Sequence, residues 1–168
     1  RVLWGYIHGH TEHSDGIGNI ERYFEYMRDE CGLDFGAPGD HDHLWETPDW
    51  IWARTKKVTP LMNEPGRFTT LLGYEWAKWR KNGDGDRNVY FLDDERPMYR
   101  SDEGHFASPP ELFDALAGET AMVIAHHTAD AGNFCDWKDH DPTLERLVEI
   151  YSIWGNSERA YRDGNPYP

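Results

Sequence analysis

Residues 33–43 decide the fold class, because the apolar run Leu33–Ala37 leads directly into Asp40-His41-Asp42-His43. A short apolar run that ends in polar residues predicts a buried β-strand followed by a loop. Packing does not explain why a hydrophobic strand should lead straight into histidines and carboxylates. In α/β folds, functional sites are built at the carboxyl ends of parallel strands. This stretch therefore predicts one strand of an α/β sheet with a site at its end.

Further strand-like runs alternate with helical patterns on both sides of this stretch. The predicted strands are Val2–Ile7, Leu33–Ala37, Phe68–Tyr74, Asn88–Leu92, Ala121–Ala125 and Leu147–Ile153. The predicted helices run from Ile20 to Cys31, from Thr47-Pro48 to about Pro60, and from Pro109 to Gly118. Asn19 is the predicted N-cap of the first helix, and Ser108 begins a predicted capping box. The alternation predicts an α/β domain with a mainly parallel sheet.

Composition excludes several classes of function for this chain of 168 residues. Its net charge of −14 disfavours nonspecific nucleic-acid binding, because an acidic surface repels phosphate backbones. Cys31 and Cys135 are too few for a disulfide framework or a cysteine zinc site. No membrane span or signal-peptide pattern is present, so we expect a soluble protein without a membrane role, with the cytoplasm as the favoured compartment. Nine histidines in an acidic chain are the feature that calls for an explanation.

Histidines and carboxylates follow the ends of four predicted strands. They are His8 and His10, His41 and His43, Glu75, and His126 with His127. Two imidazoles at i and i+2 of an extended chain point to the same side, and a glycine between them allows close backbone approach. Because the carboxyl ends of parallel strands converge, these side chains are expected to meet at one site. The combination of imidazoles and carboxylates predicts a metal centre.

Each motif taken alone also has a structural explanation. His8 and His10 could be solvated loop residues, and Asp15 could form an ordinary Asx turn. Glu75 could pair with Lys78 or Arg80 instead of a metal ion. Of His126 and His127, one could bind a metal while the other faces substrate, or one could simply be buried and the other exposed. Four strand ends that carry ligand types together favour the metal centre.

The same motifs resemble the PHP (polymerase and histidinol phosphatase) superfamily. The matching segments are His8-Gly9-His10-Thr11, Ser14-Asp15-Gly16, Gly39-Asp40-His41-Asp42, Gly73-Tyr74-Glu75-Trp76 and Ala125-His126-His127. Arg87-Asn88-Val89-Tyr90-Phe91 and Glu149-Ile150-Tyr151-Ser152 look like a little-characterised PHP-like branch. The resemblance implies a distorted (β/α)7 barrel of TIM-like type. It also implies two or three divalent metal ions (zinc, manganese or iron) and hydrolysis of phosphoesters.

The resemblance also implies roles for individual residues. The implied metal ligands are His8, His10, Asp15, His41, Glu75 and His126. Asp40, the neighbour of a ligand histidine, and His127 are the predicted catalytic residues. Arg80 and Arg87 are the predicted contacts to a small phosphorylated or anionic substrate, with surface solvation as the alternative.

Two departures from the family pattern shape the expected fold. Gly85-Asp86-Arg87-Asn88 stands where the family has a further histidine, so Asp86 or the more distant His105 is a candidate replacement. No Asp-x-His motif follows Glu75, although the family closes its site with one. We therefore expect residues 1–168 to form a single, partial PHP-like domain that lacks the C-terminal strands of the barrel. An open barrel edge would need association with a partner to cover it.

The predicted function is that of a metal-dependent phosphoesterase, which activates water with a di- or trinuclear metal centre. Two alternatives remain open. The same centre could hydrolyse ester or amide bonds, or the domain could be a non-catalytic, metal-stabilised scaffold or regulatory module. Because the closing motif is missing, these 168 residues alone are expected to be a poor phosphoesterase.

Overall fold

The computed structural model describes residues 1–78, 84–128, 133, 135 and 137–158. The chain divides into two compact units. The first unit comprises Arg1–Glu75 and Tyr90–Met98, and the second comprises Trp76–Val89 and Tyr99–Pro168.

Strands and helices alternate along the chain, as the sequence predicts. The strands are β1 Gly5–Tyr6, β2 Phe35–Gly36, β3 Thr69–Thr70, β4 Leu72–Trp76, β5 Asp86–Phe91, β6 Ala121–His126, β7 Leu147–Val148, β8 Tyr151–Ser152 and β9 Gly155–Asn156. The helices are α1 Ile20–Glu25, which continues as a π-helical turn over Tyr26–Glu30, then α2 Asp49–Met62 and α3 Pro109–Leu116. The mixed α/β class is confirmed.

The first unit is built on a parallel sheet in the order β1-β2-β3. Gly5 lies opposite Phe35 in the first pair of strands, and Phe35 lies opposite Thr69 in the second. The two helices α1 and α2 cover a core cluster whose buried members are Ile20, Phe24, Met27, Val58 and Phe68. Burial of this apolar face ties both helices to the unit and thereby fixes the loops that join them to the strands.

The first two helices begin and end close to their predicted bounds. The Asn19 side chain caps α1 by accepting the backbone N–H of Arg22 at 2.9 Å. The helix α2 ends at Met62, close to the predicted end near Pro60, and it includes the proline. A proline removes only its own N–H bond, and in the last turn of a helix few further bonds depend on it.

In the second unit, the predicted strand Leu147–Ile153 is two short strands instead of one. Its first part is β7, which pairs in parallel with β6, while its second part is β8, which forms an antiparallel hairpin with β9. The chain changes partner between them: the Glu149 N–H donates to the Ala125 carbonyl at 3.2 Å, and the Ile150 carbonyl accepts from Ser157 at 2.7 Å. The predicted strand is therefore two short strands, Leu147–Val148 and Tyr151–Ser152, separated by Glu149 and Ile150.

The described strands form sheets of three, four and two strands, and they do not close into a barrel. The four-stranded sheet contains β4, β5, β6 and β7. Among the described residues, none of the helices combines the length and the apolar character that a bilayer span requires.

Candidate metal centre

Backbone hydrogen bonds bring three strand ends of the first unit together. The Gly39 N–H donates to the Gly9 carbonyl at 2.8 Å, so the loop after β1 lies against the loop after β2. Beyond β2, His41 forms a parallel bridge with Glu75 near the end of β4. In this bridge the Glu75 carbonyl accepts from the Asp42 N–H, and the Glu75 N–H donates to the Asp40 carbonyl, each at 3.0 Å. Backbone register alone therefore places two predicted ligands side by side.

The carboxylate of Glu75 is the meeting point of three imidazoles. Its Oε2 atom lies 3.3 Å from His8 Nε2, 3.4 Å from His10 Nε2 and 3.4 Å from His41 Nε2. Glu75 is almost completely buried, at 1 % exposure. The ligand atoms of His8, His10 and Glu75 all lie within 4.8 Å of one another, so these three residues form one cluster of possible metal ligands. The structure thus brings together four of the six predicted ligands within the first unit.

A hydrogen-bonded chain fixes the orientation of His10. The Ser14 hydroxyl donates to Asp40 Oδ1 at 2.6 Å and lies 2.8 Å from His10 Nδ1. A hydroxyl has one proton, and an ionised carboxylate only accepts, so Ser14 must accept the Nδ1–H of His10. The lone pair of a neutral His10 ring is therefore on Nε2, the atom that faces Glu75.

Asp40 holds the loop after β1 in place. Besides the Ser14 hydroxyl, its carboxylate accepts the Thr11 backbone N–H and the Thr11 hydroxyl, both at 2.7 Å. These three donors occupy both oxygens of a buried carboxylate, which satisfies its charge in the way that buried anions require. Asp40 therefore stabilises the loop that carries Thr11 and Ser14. Its predicted catalytic role stays a prediction.

A second carboxylate, Glu46, lies against two histidines. Its Oε1 is 3.1 Å from His41 Nδ1, and its Oε2 is 2.7 Å from His43 Nδ1. The indole of Trp45 stacks on the His43 ring, with 5.7 Å between centroids and 3° between planes. Glu46 is not among the residues predicted from the sequence, although a carboxylate shortly after a ligand motif is a signal for an orienting partner of a histidine.

Burial and nearby carboxylates shift the pKa values of His10 and His41 in opposite directions. For His10, burial is the largest cause and lowers the pKa, with Glu75 opposing and the neighbouring imidazoles assisting. For His41, burial again lowers the pKa, but the carboxylates of Glu75 and Glu46 outweigh it, so the pKa is raised. The carboxylates around His41 therefore favour a positive charge at this point.

Asp15 lies on the loop that carries the Ser14-Asp15-Gly16 motif. Gly16 allows this loop to fold back tightly, because a Cβ atom there would lie 1.9 Å from the His10 carbonyl oxygen. Asp15 itself is exposed, and it belongs to no cluster of ligand atoms among the described residues. Its carboxylate contributes to the raised pKa of His41, and its predicted role as a ligand stays a prediction.

The second unit contains the other two predicted histidines. His126 Nδ1 lies 3.0 Å from Glu149 Oε1, and His127 Nε2 lies 3.2 Å from Asp86 Oδ2. The backbone of His127 has a φ of 57°, which residues with a side chain seldom adopt. Metal binding by His126 and catalysis by His127 stay predictions.

Arg80 and Arg87 are the predicted contacts to an anionic substrate. Arg87 is buried, and its Nε donates to Glu145 Oε1 at 2.9 Å in an ion pair with both side chains 2 % exposed or less. The ion pair gives the guanidinium a partner within the protein, and the predicted role of Arg87 in substrate binding stays a prediction. Arg80 lies outside the described residues. Lys78 is the other proposed partner of Glu75. Its ammonium group donates a hydrogen bond to the Ser101 carbonyl at 3.4 Å.

Two residues were candidates for the missing histidine ligand. Asp86 is buried and also accepts from the side chain of Asn133 and the backbone N–H of Lys78. His105 is exposed and packs edge-on against Phe106. Neither belongs to a cluster of ligand atoms among the described residues.

Comparison with known proteins places the chain in a family. Residues 37–161 match the model of the family described as "Protein of unknown function (DUF3604)". The chain belongs to the DUF3604 family. A Chlamydia muridarum protein is 33 % identical to it over 170 residues, and a Chlamydia trachomatis serovar D protein is 32 % identical over the same length. Both are described only as "Uncharacterized protein", and the chain spans 27 % of the length of each.

A solved structure shares the fold of this DUF3604 chain. It is a crystal structure from Bifidobacterium adolescentis described as a "putative metal-dependent phosphoesterase". The TM-score is 0.55, the sequence identity is 16 %, and the match covers 95 % of this chain and 81 % of the other. At this identity the likeness concerns the fold alone.

The residues around Glu75 fit a transition-metal ion. The two imidazole nitrogens and the carboxylate oxygen of the cluster His8, His10 and Glu75 are donors that zinc and similar borderline ions prefer. A tetrahedral ion with bonds of about 2.0–2.1 Å has ligand atoms about 3.3–3.4 Å apart. Glu75 Oε2 lies 3.3 Å from His8 Nε2 and 3.4 Å from His10 Nε2. A cation here would also offset the negative charge of a buried carboxylate.

Proposed function

We propose that this DUF3604 chain forms the metal-binding part of a metal-dependent hydrolase that acts on phosphoesters. The observation that carries the proposal is the convergence of His8, His10 and His41 on one oxygen of Glu75. Burying a carboxylate among several imidazoles costs desolvation free energy, and a bound cation would offset this cost. The Bifidobacterium protein, which shares the fold, is described as a "putative metal-dependent phosphoesterase", and this description supports the same class of function.

The residues of the centre would hold the ion and prepare its ligands. A divalent ion bound there supplies Lewis acidity, which lowers the pKa of bound water and polarises a substrate oxygen. His8, His10 and Glu75 would bind it, with His41 on the same carboxylate oxygen. Asp40 and Ser14 keep the Nδ1 proton of His10 in place, so that the Nε2 lone pair is available without rearrangement. This preorganisation matters because ligand reorientation would otherwise oppose binding.

The finer features of the proposal come from the sequence motifs. We propose a PHP-type centre with two or three ions, drawn from zinc, manganese and iron. Asp15 and His126 are the further proposed ligands, and a distorted TIM-like barrel is the proposed architecture of the complete domain. The substrate would be a small phosphorylated or otherwise anionic molecule. The imidazole-rich donor set supports the choice of metals.

A second candidate function is hydrolysis of ester or amide bonds by the same centre. The ion pair between buried Arg87 and Glu145 supports this candidate, because the guanidinium already has a carboxylate partner inside the protein. Carbonyl substrates need the polarising ion but do not need a guanidinium to grip an anion.

The test combines metal analysis with a comparison of substrates. Elemental analysis of the protein purified without chelator should show a transition metal, and Glu75→Gln should lower its content. Glu111→Gln is the matched control, because Glu111 accepts a hydrogen bond from Ser108 on the surface of α3. The metal-loaded chain and a full-length relative are then offered a phosphodiester, a phosphomonoester and an amide.

The expected result is metal-dependent turnover of a phosphoester, stronger in the full-length relative. Turnover of amides alone would favour the second candidate. A chain that takes up neither zinc nor manganese on titration would overturn both functions.

A further inference from the structure

Glu46 lies on a tight turn between the histidine motif after β2 and the start of α2. The backbone N–H groups of Glu46 and Thr47 both donate to the His43 carbonyl, at 3.0 and 2.8 Å. This turn directs the Glu46 side chain back over the segment that carries His41. The side chain is 7 % exposed, so water contributes little to its solvation.

The two oxygens of Glu46 are divided between two histidines. Oε1 faces His41 Nδ1 at 3.1 Å, and Oε2 faces His43 Nδ1 at 2.7 Å. An ionised carboxylate has only acceptors, so both imidazoles must present an Nδ1–H to it. In the neutral ring of His41 this leaves the lone pair on Nε2, the atom 3.4 Å from Glu75 Oε2.

We propose that Glu46 is the positioning residue of the metal centre. It bridges His41 and His43 and thereby fixes the ring orientation and tautomer with which His41 offers its Nε2 atom to a divalent cation. The expected effect of Glu46 on metal affinity rests on the proposed function. The effect of Glu46 on the two imidazoles can be measured without metal.

The role requires a carboxylate. In a Glu46→Gln variant, the amide side chain would have one carbonyl oxygen for two Nδ1–H donors, and its NH₂ group would face the other donor. One imidazole would then rotate or move its proton to Nε2. Partners of this kind typically change metal affinity by about 10–100-fold when they are removed.

The matched control is Glu12→Gln. Glu12 is exposed and lies on the loop that follows His10 in the same unit. Its replacement removes the same charge from the same region without touching either imidazole. A difference between the two variants therefore reports the contacts of Glu46 rather than the net charge of the unit.

The experiment has two readouts on the wild-type chain and both variants. Nitrogen-15 NMR of the histidine rings, recorded without metal and above the imidazole titration range, assigns the tautomers of His41 and His43. Titration with zinc or cobalt(II) gives the affinity, and the visible spectrum of cobalt(II) gives the ligand geometry. Thermal unfolding of each variant checks that it is folded.

We expect protons on Nδ1 of both rings in the wild-type chain and in Glu12→Gln. We expect a changed tautomer of one ring, an altered cobalt spectrum and about 10–100-fold weaker metal binding in Glu46→Gln. An Nε2–H tautomer of His41 in the wild-type chain would overturn the inference even if the Glu46→Gln variant failed to fold. So would unchanged tautomers and affinity in a folded Glu46→Gln variant. A wild-type chain with the expected tautomers that binds no metal would instead overturn the proposed function and leave the positioning of the two rings by Glu46 established.

Discussion

Replacing Ser14 with alanine tests whether the chain from Asp40 through Ser14 to His10 holds the metal centre together. The variant removes a hydroxyl that donates to Asp40 at 2.6 Å and accepts from His10 Nδ1 at 2.8 Å. Asp40 keeps its two bonds from Thr11, so its carboxylate remains solvated by donors. The loss therefore falls mainly on His10, whose Nδ1–H is left without an acceptor.

The magnitude follows from that count of bonds. A buried donor left without its partner costs about 1–3 kcal/mol, and the side chain of His10 is mostly buried, at 20 % exposure. We expect the free energy of unfolding of the metal-free chain to fall by about 1–2 kcal/mol, at the lower part of that range because some water can reach the ring. Metal affinity should fall by about 10–100-fold, the usual effect of removing a partner that orients a ligand histidine.

The assay is denaturant unfolding of the metal-free chain together with zinc titration. Ser108→Ala is the control, because its hydroxyl bonds to the exposed Glu111 at the start of α3. That variant should lose some stability at the start of α3 and keep its metal affinity. A Ser14→Ala chain with wild-type stability and wild-type metal affinity would refute the reasoning, since His10 would then be held by other contacts.

Four further predictions follow from the same geometry. Glu75→Gln should lower metal occupancy more than Glu111→Gln does, and equal occupancy in both would reduce Glu75 to an ion-pair partner. Gly16→Ala should destabilise the loop after β1 and weaken metal binding, because its Cβ would meet the His10 carbonyl oxygen at 1.9 Å; an unchanged unfolding midpoint would contradict this. Because the pKa of His41 is raised, its protonated form stabilises the metal-free fold at pH values below the unfolded pKa of about 6.5. This stabilisation is lost as the pH rises through the folded pKa. Metal binding, in contrast, needs the deprotonated ring. Zinc affinity should therefore rise with pH and binding should release protons in calorimetry, and a pH-independent affinity would exclude His41 as a ligand. The 168-residue chain should turn over a phosphodiester more slowly than a full-length relative at equal metal loading, and comparable rates would show that the described residues already complete the site.

Local patterns in the sequence were enough to predict most of the secondary structure. The helical spacing of Ile20, Phe24 and Met27 matches the core that these residues form, and Asn19 caps the helix as predicted. These features depend on neighbours a few residues away, which a sequence displays directly. The predicted strand Leu147–Ile153 failed for the opposite reason, because only the partners β6 and β9 decide where one strand ends and the next begins.

The pairing of side chains across the fold could not be read from the sequence. Arg87 and Glu145 are 58 residues apart, and nothing local indicates that their charges neutralise each other inside the second unit. Glu46 follows a ligand motif, which is a signal in the sequence, but the sequence does not show which histidines it contacts. Its contact with His41 depends on the tight turn at His43, which directs the side chain backwards.

For the candidate centre, the sequence by itself determined the ligand types and the side to which they point. His8 and His10 share one side of an extended segment because side chains alternate along such a backbone. Only the tertiary structure decided that Glu75 lies among the imidazoles, through the parallel bridge that pairs it with His41. The physical reason is that strand periodicity is a property of a few successive residues, whereas register is set by packing between segments far apart in the chain.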